Sequence, residues 1–141
     1  SDLSFDGGYD GELFMGVMPR VFNIEHVHQL SYAELAEGLV EVDTAGWAEN
    51  WEKLSGRIWE GFSAIAEELE ATGGGNALVV SHGMTIGTFV YLINRTRPHG
   101  LDNGSVTVVD YEDGKFTVAC VGDMSYREAG AKVMEEEVEA R

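Results

Sequence analysis

The chain contains only one cysteine, Cys120, so it cannot form an intrachain disulfide. Basic residues are also scarce: 9 Lys and Arg stand against 25 Asp and Glu, which gives a formal net charge of −16. A charge of this size repels nucleic acid backbones and anionic membranes, so nonspecific nucleic-acid binding is the first function to exclude. The low cysteine content fits a reducing compartment, and we expect a cytoplasmic protein.

Long apolar runs are missing as well. The longest, residues 83–93, is interrupted by Thr and Gly and is far shorter than the roughly 20 residues of a membrane-spanning helix. The first residues also lack the basic stretch and the apolar core of a signal peptide. No repeat or low-complexity linker divides the 141 residues, and a chain of this length suits one hydrophobic core. We therefore predict a single domain over residues 1–141 that has no membrane partner.

Capping and periodicity predict two helices in the first half of the chain. Ser31 and Glu34 have the spacing of a capping box, which predicts a short helix to about Glu37. Apolar residues then recur every three or four positions from Asp43 to the triple glycine at 73–75, which predicts the longest helix and its end. The residues of this stripe, of which the two tryptophans are expected to anchor the core, are Trp47, Trp51, Leu54, Ile58, Phe62, Ile65 and Leu69.

The second half of the chain combines strand and helix patterns. Residues 77–81 form a short apolar run without alternation, which is typical of a strand buried on both faces of a parallel sheet. A helix-compatible pattern follows it as far as Asn94. Residues 105–111 and 115–121 alternate on either side of an Asp-Gly pair, which predicts a β-hairpin. Together these elements predict an α/β domain.

The predicted sheet is incomplete. A buried parallel strand needs neighbours that arrive through crossovers, yet residues 1–76 contain no second continuous apolar run of strand length. Either strand 77–81 lies at an edge beside the hairpin, or the chain is the C-terminal part of a larger fold. In the second case the exposed strand is expected to pair with another copy of the chain or with the missing N-terminal segment.

His82 and Gly83, directly after the predicted buried strand, are the strongest local signal of a functional site. Ligands of open α/β sheets bind beyond the carboxyl ends of the strands, at the amino ends of the following helices. Helix amides at such a position attract an anion such as phosphate, and an imidazole there can donate hydrogen bonds or carry a proton. Spacing alone does not distinguish this role from that of a histidine bonded only to a neighbouring carbonyl.

Three ordered segments, residues 76–87, 101–108 and 121–126, resemble the C-terminal half of the histidine phosphatase superfamily, also called phosphoglycerate mutase-like. The resemblance implies a three-layer α/β/α fold that is incomplete here, because its N-terminal strands are missing. Residues 2–12 resemble the acid-bearing segment of the family, Glu-x-x-Phe-Gly-x-x-Glu-Gly, with Asp in place of the first Glu and one extra residue. The family's nucleophilic histidine lies in Arg-His-Gly, which does not occur in this chain. We therefore expect the chain to begin partway into the fold.

The resemblance also implies roles for individual residues. His82 matches the histidine that binds and stabilises the transferring phosphoryl group, and Gly83 matches a glycine whose neighbouring amide contacts phosphate. Asp2 matches the general acid that protonates the leaving oxygen. Asn103 and Ser105 match an Asn-x-Ser motif that is expected to hold a strand end beside the pocket. The resemblance implies neither a metal nor another cofactor.

The function implied by the resemblance is hydrolysis of phosphorylated small molecules through a phosphohistidine. Its nucleophile lies outside this chain, so the 141 residues alone are expected to be inactive. A phosphatase is preferred to a mutase because strict mutases resemble His-Gly-Asn-Ser at the position where His82 is followed by Gly-Met-Thr. The alternative is a noncatalytic module that binds phosphorylated ligands or a partner protein.

Other candidate residues carry weaker signals. His26 and His28 can face one side of an extended segment, but no convincing third metal ligand lies nearby, so a solvated loop is favoured over a metal site. Arg95 and Arg97 are expected to complement the carbonyl end of the helix that they follow. Cys120 alternates with apolar residues of its strand and is expected to face the core.

Overall fold

The computed structural model describes residues 30–98 and 100–141. Asp2, the rest of the acid-bearing segment, His26 and His28 lie outside the described residues. Two compact units are present: an N-terminal unit that ends at Ile58 and a C-terminal unit, Trp59–Arg141. The expectation of a single domain stays a prediction.

Helix α1, Tyr32–Val42, begins with the predicted capping box. Glu34 N donates to Ser31 Oγ at 3.2 Å, and Ser31 N donates to the Glu34 carboxylate at 2.7 Å, so each residue satisfies an amide of the other. The helix is longer than predicted because its apolar face continues beyond Glu37. The buried residues of that face are Tyr32, Leu35, Ala36 and Leu39.

The next helix begins later than predicted, because residues 43–50 form a loop around the Asp43 side chain. The Asp43 carboxylate accepts the N–H groups of Ala48 at 2.5 Å and Ala45 at 2.9 Å, and these bonds lower the pKa of its carboxyl group. A short acidic side chain that binds its own backbone in this way competes with helix formation. The expectation that Trp47 anchors the core is wrong, since 76% of its surface is exposed.

Helix α2, Trp51–Ala71, starts with Asn50 Oδ1 accepting the Lys53 N–H at 2.9 Å, an N-terminal capping contact. It ends just before the triple glycine at 73–75, as predicted. Gly74 N donates to Leu69 O at 2.9 Å and satisfies one of the last carbonyl groups of the helix.

Residues 74–82 belong to neither a helix nor a strand and have no ladder partner among the described residues. The prediction that residues 77–81 form a strand buried on both faces is therefore wrong for the described chain. Leu78 is 90% exposed and Val80 is 89% exposed. The alternative in which this strand lies beside the hairpin is wrong as well, because the sheet of the described residues contains only the two hairpin strands.

Helix α3, Gly83–Asn94, confirms the helix predicted after the apolar run. Its last turn is closed by Arg95, whose N–H donates to Tyr91 O at 2.8 Å. The Arg95 guanidinium lies 5.5 Å from the centre of the Tyr91 ring, within the range of a cation–π contact. Arg95 is thus the C-terminal cap of α3, and its cationic side chain stacks on the last turn of that helix.

The predicted hairpin is confirmed as strands β1, Val106–Glu112, and β2, Lys115–Asp123, in antiparallel register. The pairing is regular near the turn, but its register shifts twice toward the open end, where β2 carries the extra residues. Gly122 lies in this irregular part with φ +70°, a conformation that favours glycine. Its N–H donates to Thr107 Oγ1 at 3.2 Å.

An aromatic cluster forms the centre of the C-terminal unit. Phe89 of α3 is 3% exposed and stacks on Phe62 of α2, with ring centres 4.0 Å apart. Phe116 of β2 meets Phe89 edge-on at 5.1 Å and Trp59 at 5.3 Å. Since these rings come from α2, α3 and the hairpin, the cluster holds those three elements together.

Helix α4, Ser125–Glu139, has no buried residue, and the acidic run at 135–137 is exposed on it. Within the described residues, no helix has both the length and the apolar character required to cross a membrane.

Candidate active site

The candidate site begins where residues 74–82 lead into helix α3. His82 is the N-cap residue, and its carbonyl oxygen accepts the N–H of Ile86 at 2.9 Å. The residue is exposed, and its side chain forms no capping hydrogen bond with the first turn. The first amides of a helix have no intrahelical acceptor and carry partial positive charge. His82 and the first turn of α3 therefore present hydrogen-bond donors suited to an anion.

The loop before β1 lies against this helix start. A β-carbon placed on Gly83 would lie 3.7 Å from both Cβ and the carbonyl oxygen of Leu101, which is ordinary van der Waals contact. Ser105 N donates to Asp102 O at 3.0 Å and closes a tight turn directly before the strand. Asn103 and Ser105 thus lie in a turn next to the start of α3, and their role beside a pocket stays a prediction.

The end of β2 and the first turn of α4 also reach this loop. Leu101 Cδ2 would lie 3.3 Å from a β-carbon on Gly122, and Arg127 Nη1 donates to Asn103 O at 3.2 Å. Asp123 accepts the N–H of Ser125 at 2.8 Å, and this bond lowers the pKa of the Asp123 carboxyl group. The three segments that carry the resemblance therefore meet at the open end of the hairpin.

Positive charge is sparse where these segments meet. His82 and Arg127 are the basic residues of 82–83, 101–105 and 122–127, and Asp102 and Asp123 are acidic. Donors from the helix start and the imidazole, rather than a cluster of cations, would hold an anion here. Within residues 30–98 and 100–141, no group of three His, Cys, Asp or Glu side chains could hold a metal ion.

Sequence reasoning located His82 and Gly83 correctly at a helix start, but it missed two neighbours. Leu101 and Arg127 belong to no motif of charged or nucleophilic residues, so residue type alone gave no signal. The sequence did contain one indirect signal, the glycine at position 104. Gly104 has φ +80° and no side chain, so the Arg127 side chain can approach it closely. Asp2 lies outside the described residues, and its assignment as general acid stays a prediction.

The sequence profile of the histidine phosphatase superfamily (branch 1) matches residues 12–124, most of the chain. The chain belongs to this superfamily. A solved phosphoglycerate mutase from Bacillus anthracis str. Sterne is similar to this histidine phosphatase chain, with 40% sequence identity and a TM-score of 0.69. The match covers 72% of this chain and 45% of the mutase chain, so the 141 residues span less than half of its length. No curated protein matches the sequence.

The family membership and the α/β fold of the phosphoglycerate mutase type are thereby confirmed. Within that fold, the described residues contribute a two-stranded sheet and four helices. His82, Gly83 and the loop 101–105 all lie in the part of the chain that the family profile matches. The superfamily to which this chain belongs is a family of phosphoryl-transfer proteins.

Proposed function

We propose that this histidine phosphatase chain supplies the phosphate-binding side of a site that hydrolyses phosphate monoesters. The observation that carries the proposal is the position of His82 at the start of α3, where the residue is exposed and its side chain forms no capping hydrogen bond with the first turn. The family match over residues 12–124 supports phosphoryl transfer as the reaction class.

The proposed reaction has two steps. A histidine outside this chain attacks phosphorus in line, the bond from phosphorus to the ester oxygen breaks, and a phosphohistidine forms. The leaving oxygen takes a proton from a general acid, the role proposed for Asp2. Water then gives a proton to the Asp2 carboxylate and attacks phosphorus, and the phosphorus–nitrogen bond breaks, which releases inorganic phosphate and restores the free histidine. In both steps His82 and the amide beside Gly83 donate hydrogen bonds to the phosphoryl oxygens and stabilise their charge.

Phosphoglycerate mutase activity is a second candidate, favoured by the 40% identity to a protein of that name. In a mutase the phosphohistidine returns its phosphoryl group to a sugar-acid hydroxyl instead of to water. The sequence His82-Gly83-Met84-Thr85 favours the phosphatase, because strict mutases resemble His-Gly-Asn-Ser at this position. Measuring phosphate release and isomerised product in the same reaction separates the two activities.

The purified 141-residue chain is expected to hydrolyse phosphate monoesters no faster than its His82→Ala variant. The reason is that none of the four histidines lies in an Arg-His-Gly motif, so the groups present can bind a phosphoryl group but do not include the expected nucleophile. Release of p-nitrophenol from p-nitrophenyl phosphate measures the rate. Turnover by the pure chain that disappears in His82→Ala would place the nucleophile within the chain and contradict this assignment.

Inorganic phosphate is expected to bind this chain weakly, with a dissociation constant of about 1 mM, equivalent to about 4 kcal/mol. The donors are helix amides and one imidazole, in a chain with net charge −16.

Titration of phosphate, followed through the His82 ring signals by NMR, measures this binding. Sodium chloride at matched ionic strength is the control for a general salt effect. Unmoved His82 signals, or larger shifts at His26 and His28, would show that the anion site is elsewhere.

A further inference from the structure

One side chain of α4 reaches the loop next to the helix start of the candidate site. Arg127 Nη1 donates to the carbonyl oxygen of Asn103 at 3.2 Å, across 24 positions of sequence. Its aliphatic stem covers the next residue, since a β-carbon placed on Gly104 would lie 3.3 Å from Arg127 Cδ and 3.8 Å from Cγ. Arg127 therefore attaches α4 to two consecutive residues of the loop.

The same loop carries the contact with helix α3. Leu101, two positions before Asn103, lies 3.7 Å from the position that a β-carbon on Gly83 would occupy. The hydrogen bond from Ser105 N to Asp102 O closes the short stretch between these contacts into a tight turn. Leu101 also packs against β2, because its Cδ2 atom lies 3.3 Å from the position that a β-carbon on Gly122 would occupy. A movement of Asn103 and Gly104 would therefore be passed to Leu101 and from there to Gly83.

We propose that Arg127 is a positioning residue for the phosphate-binding end of helix α3. It acts through Asn103 and Leu101, and by fixing the loop it fixes the backbone at Gly83, where the phosphoryl oxygens are bound. The expected effect of Arg127 on phosphate binding rests on the proposed function. The chain of contacts from Arg127 to Gly83 stands independently of that function.

Three variants of the full chain test the proposal. Arg127→Met removes the charge and the donor but keeps Cβ and Cγ against Gly104. Arg127→Lys keeps the charge, the stem and one donor. Arg141→Met is the matched control, because it removes one arginine charge beyond the opposite end of α4. Far-UV circular dichroism and the urea midpoint verify that each variant folds like the original chain.

The first measurement uses backbone amide NMR signals without phosphate. In Arg127→Met the signals of Asn103 and Gly104 should move, and the change should continue through Leu101 to Gly83. Arg127→Lys should restore the Gly83 signal, and Arg141→Met should leave it in place. A perturbation that ends at Gly104 would overturn the proposal.

The second measurement adds inorganic phosphate. Arg127→Met should raise the dissociation constant about fivefold, a typical size for a residue that acts on a site without touching the ligand. Arg127→Lys should recover most of this loss, and Arg141→Met should change the constant less than about twofold, as expected for one distant, screened charge. Unchanged affinity in Arg127→Met overturns the proposal. If the original chain itself does not respond to phosphate, the proposed function fails, while the phosphate-free Gly83 signal still decides whether Arg127 positions this helix start.

Discussion

Replacing Phe89 with alanine is expected to lower the free energy of unfolding by about 3–5 kcal/mol, the usual loss for a buried Phe→Ala change. Phe89 is 3% exposed, stacks on Phe62 at 4.0 Å and meets Phe116 edge-on at 5.1 Å. Its removal opens a cavity between α2, α3 and the hairpin and ends its three ring contacts, with Trp59, Phe62 and Phe116. Because a single domain is commonly stable by only about 5–15 kcal/mol, the variant is expected to unfold at much lower urea concentration.

Urea unfolding followed by far-UV circular dichroism measures this loss. Tyr126→Ala is the matched control, since it also removes an aromatic ring, but one that is 61% exposed on α4. Its effect should stay within about 0.5 kcal/mol, as for most surface substitutions. A loss below about 1 kcal/mol in Phe89→Ala, in contrast to the usual cost of a buried ring, would show that the aromatic cluster does not hold these elements together.

The segment 74–82 is expected to make the chain associate. Leu78 and Val80 are 90% and 89% exposed, and the backbone between them has no ladder partner among the described residues. Burying two such side chains contributes about 1.5–3 kcal/mol each, and strand pairing satisfies the free backbone groups as well. Sedimentation velocity at micromolar concentration should therefore detect a species heavier than one chain.

The double variant Leu78→Asn and Val80→Asn should return the chain to a monomer without changing its charge. The control is Val133→Gln and Met134→Gln, which replaces two exposed apolar residues of α4 and should leave the association intact. A mass that is not a multiple of one chain would identify a separate polypeptide, such as an N-terminal segment, as the partner. A monomer at all concentrations tested would contradict the expectation.

Sequence patterns correctly predicted the elements that depend on residues close together in the sequence. The capping box at Ser31 and the Asp-Gly turn of the hairpin depend on residues a few positions apart, and both are present in the structure. The helix after residue 82 is also present, because the apolar 3.6-residue period of its sequence favours it.

The predictions that failed have two causes, a side chain that binds the nearby backbone and tertiary contacts that the sequence pattern does not specify. Trp47 has the spacing of a helical core residue, but the Asp43 carboxylate binds the backbone around it and keeps residues 43–50 out of the helix. Residues 77–81 have the composition of a buried strand, and composition cannot specify which strands cover it. The contact between Arg127 and Asn103 was missed for a similar reason, since it depends on the register of the hairpin that joins them.

The position of the Asn103–Arg127 contact at the open end of the hairpin has a consequence for the order of folding. We expect the two-residue turn to bring Glu112 and Lys115 together first and pairing to advance from there toward Val106 and Asp123. The loop and the first turn of α4 are then expected to meet after the last of these pairs has formed. The end of the hairpin that carries the site is therefore the last part to close, and local opening of the native protein is expected to begin there.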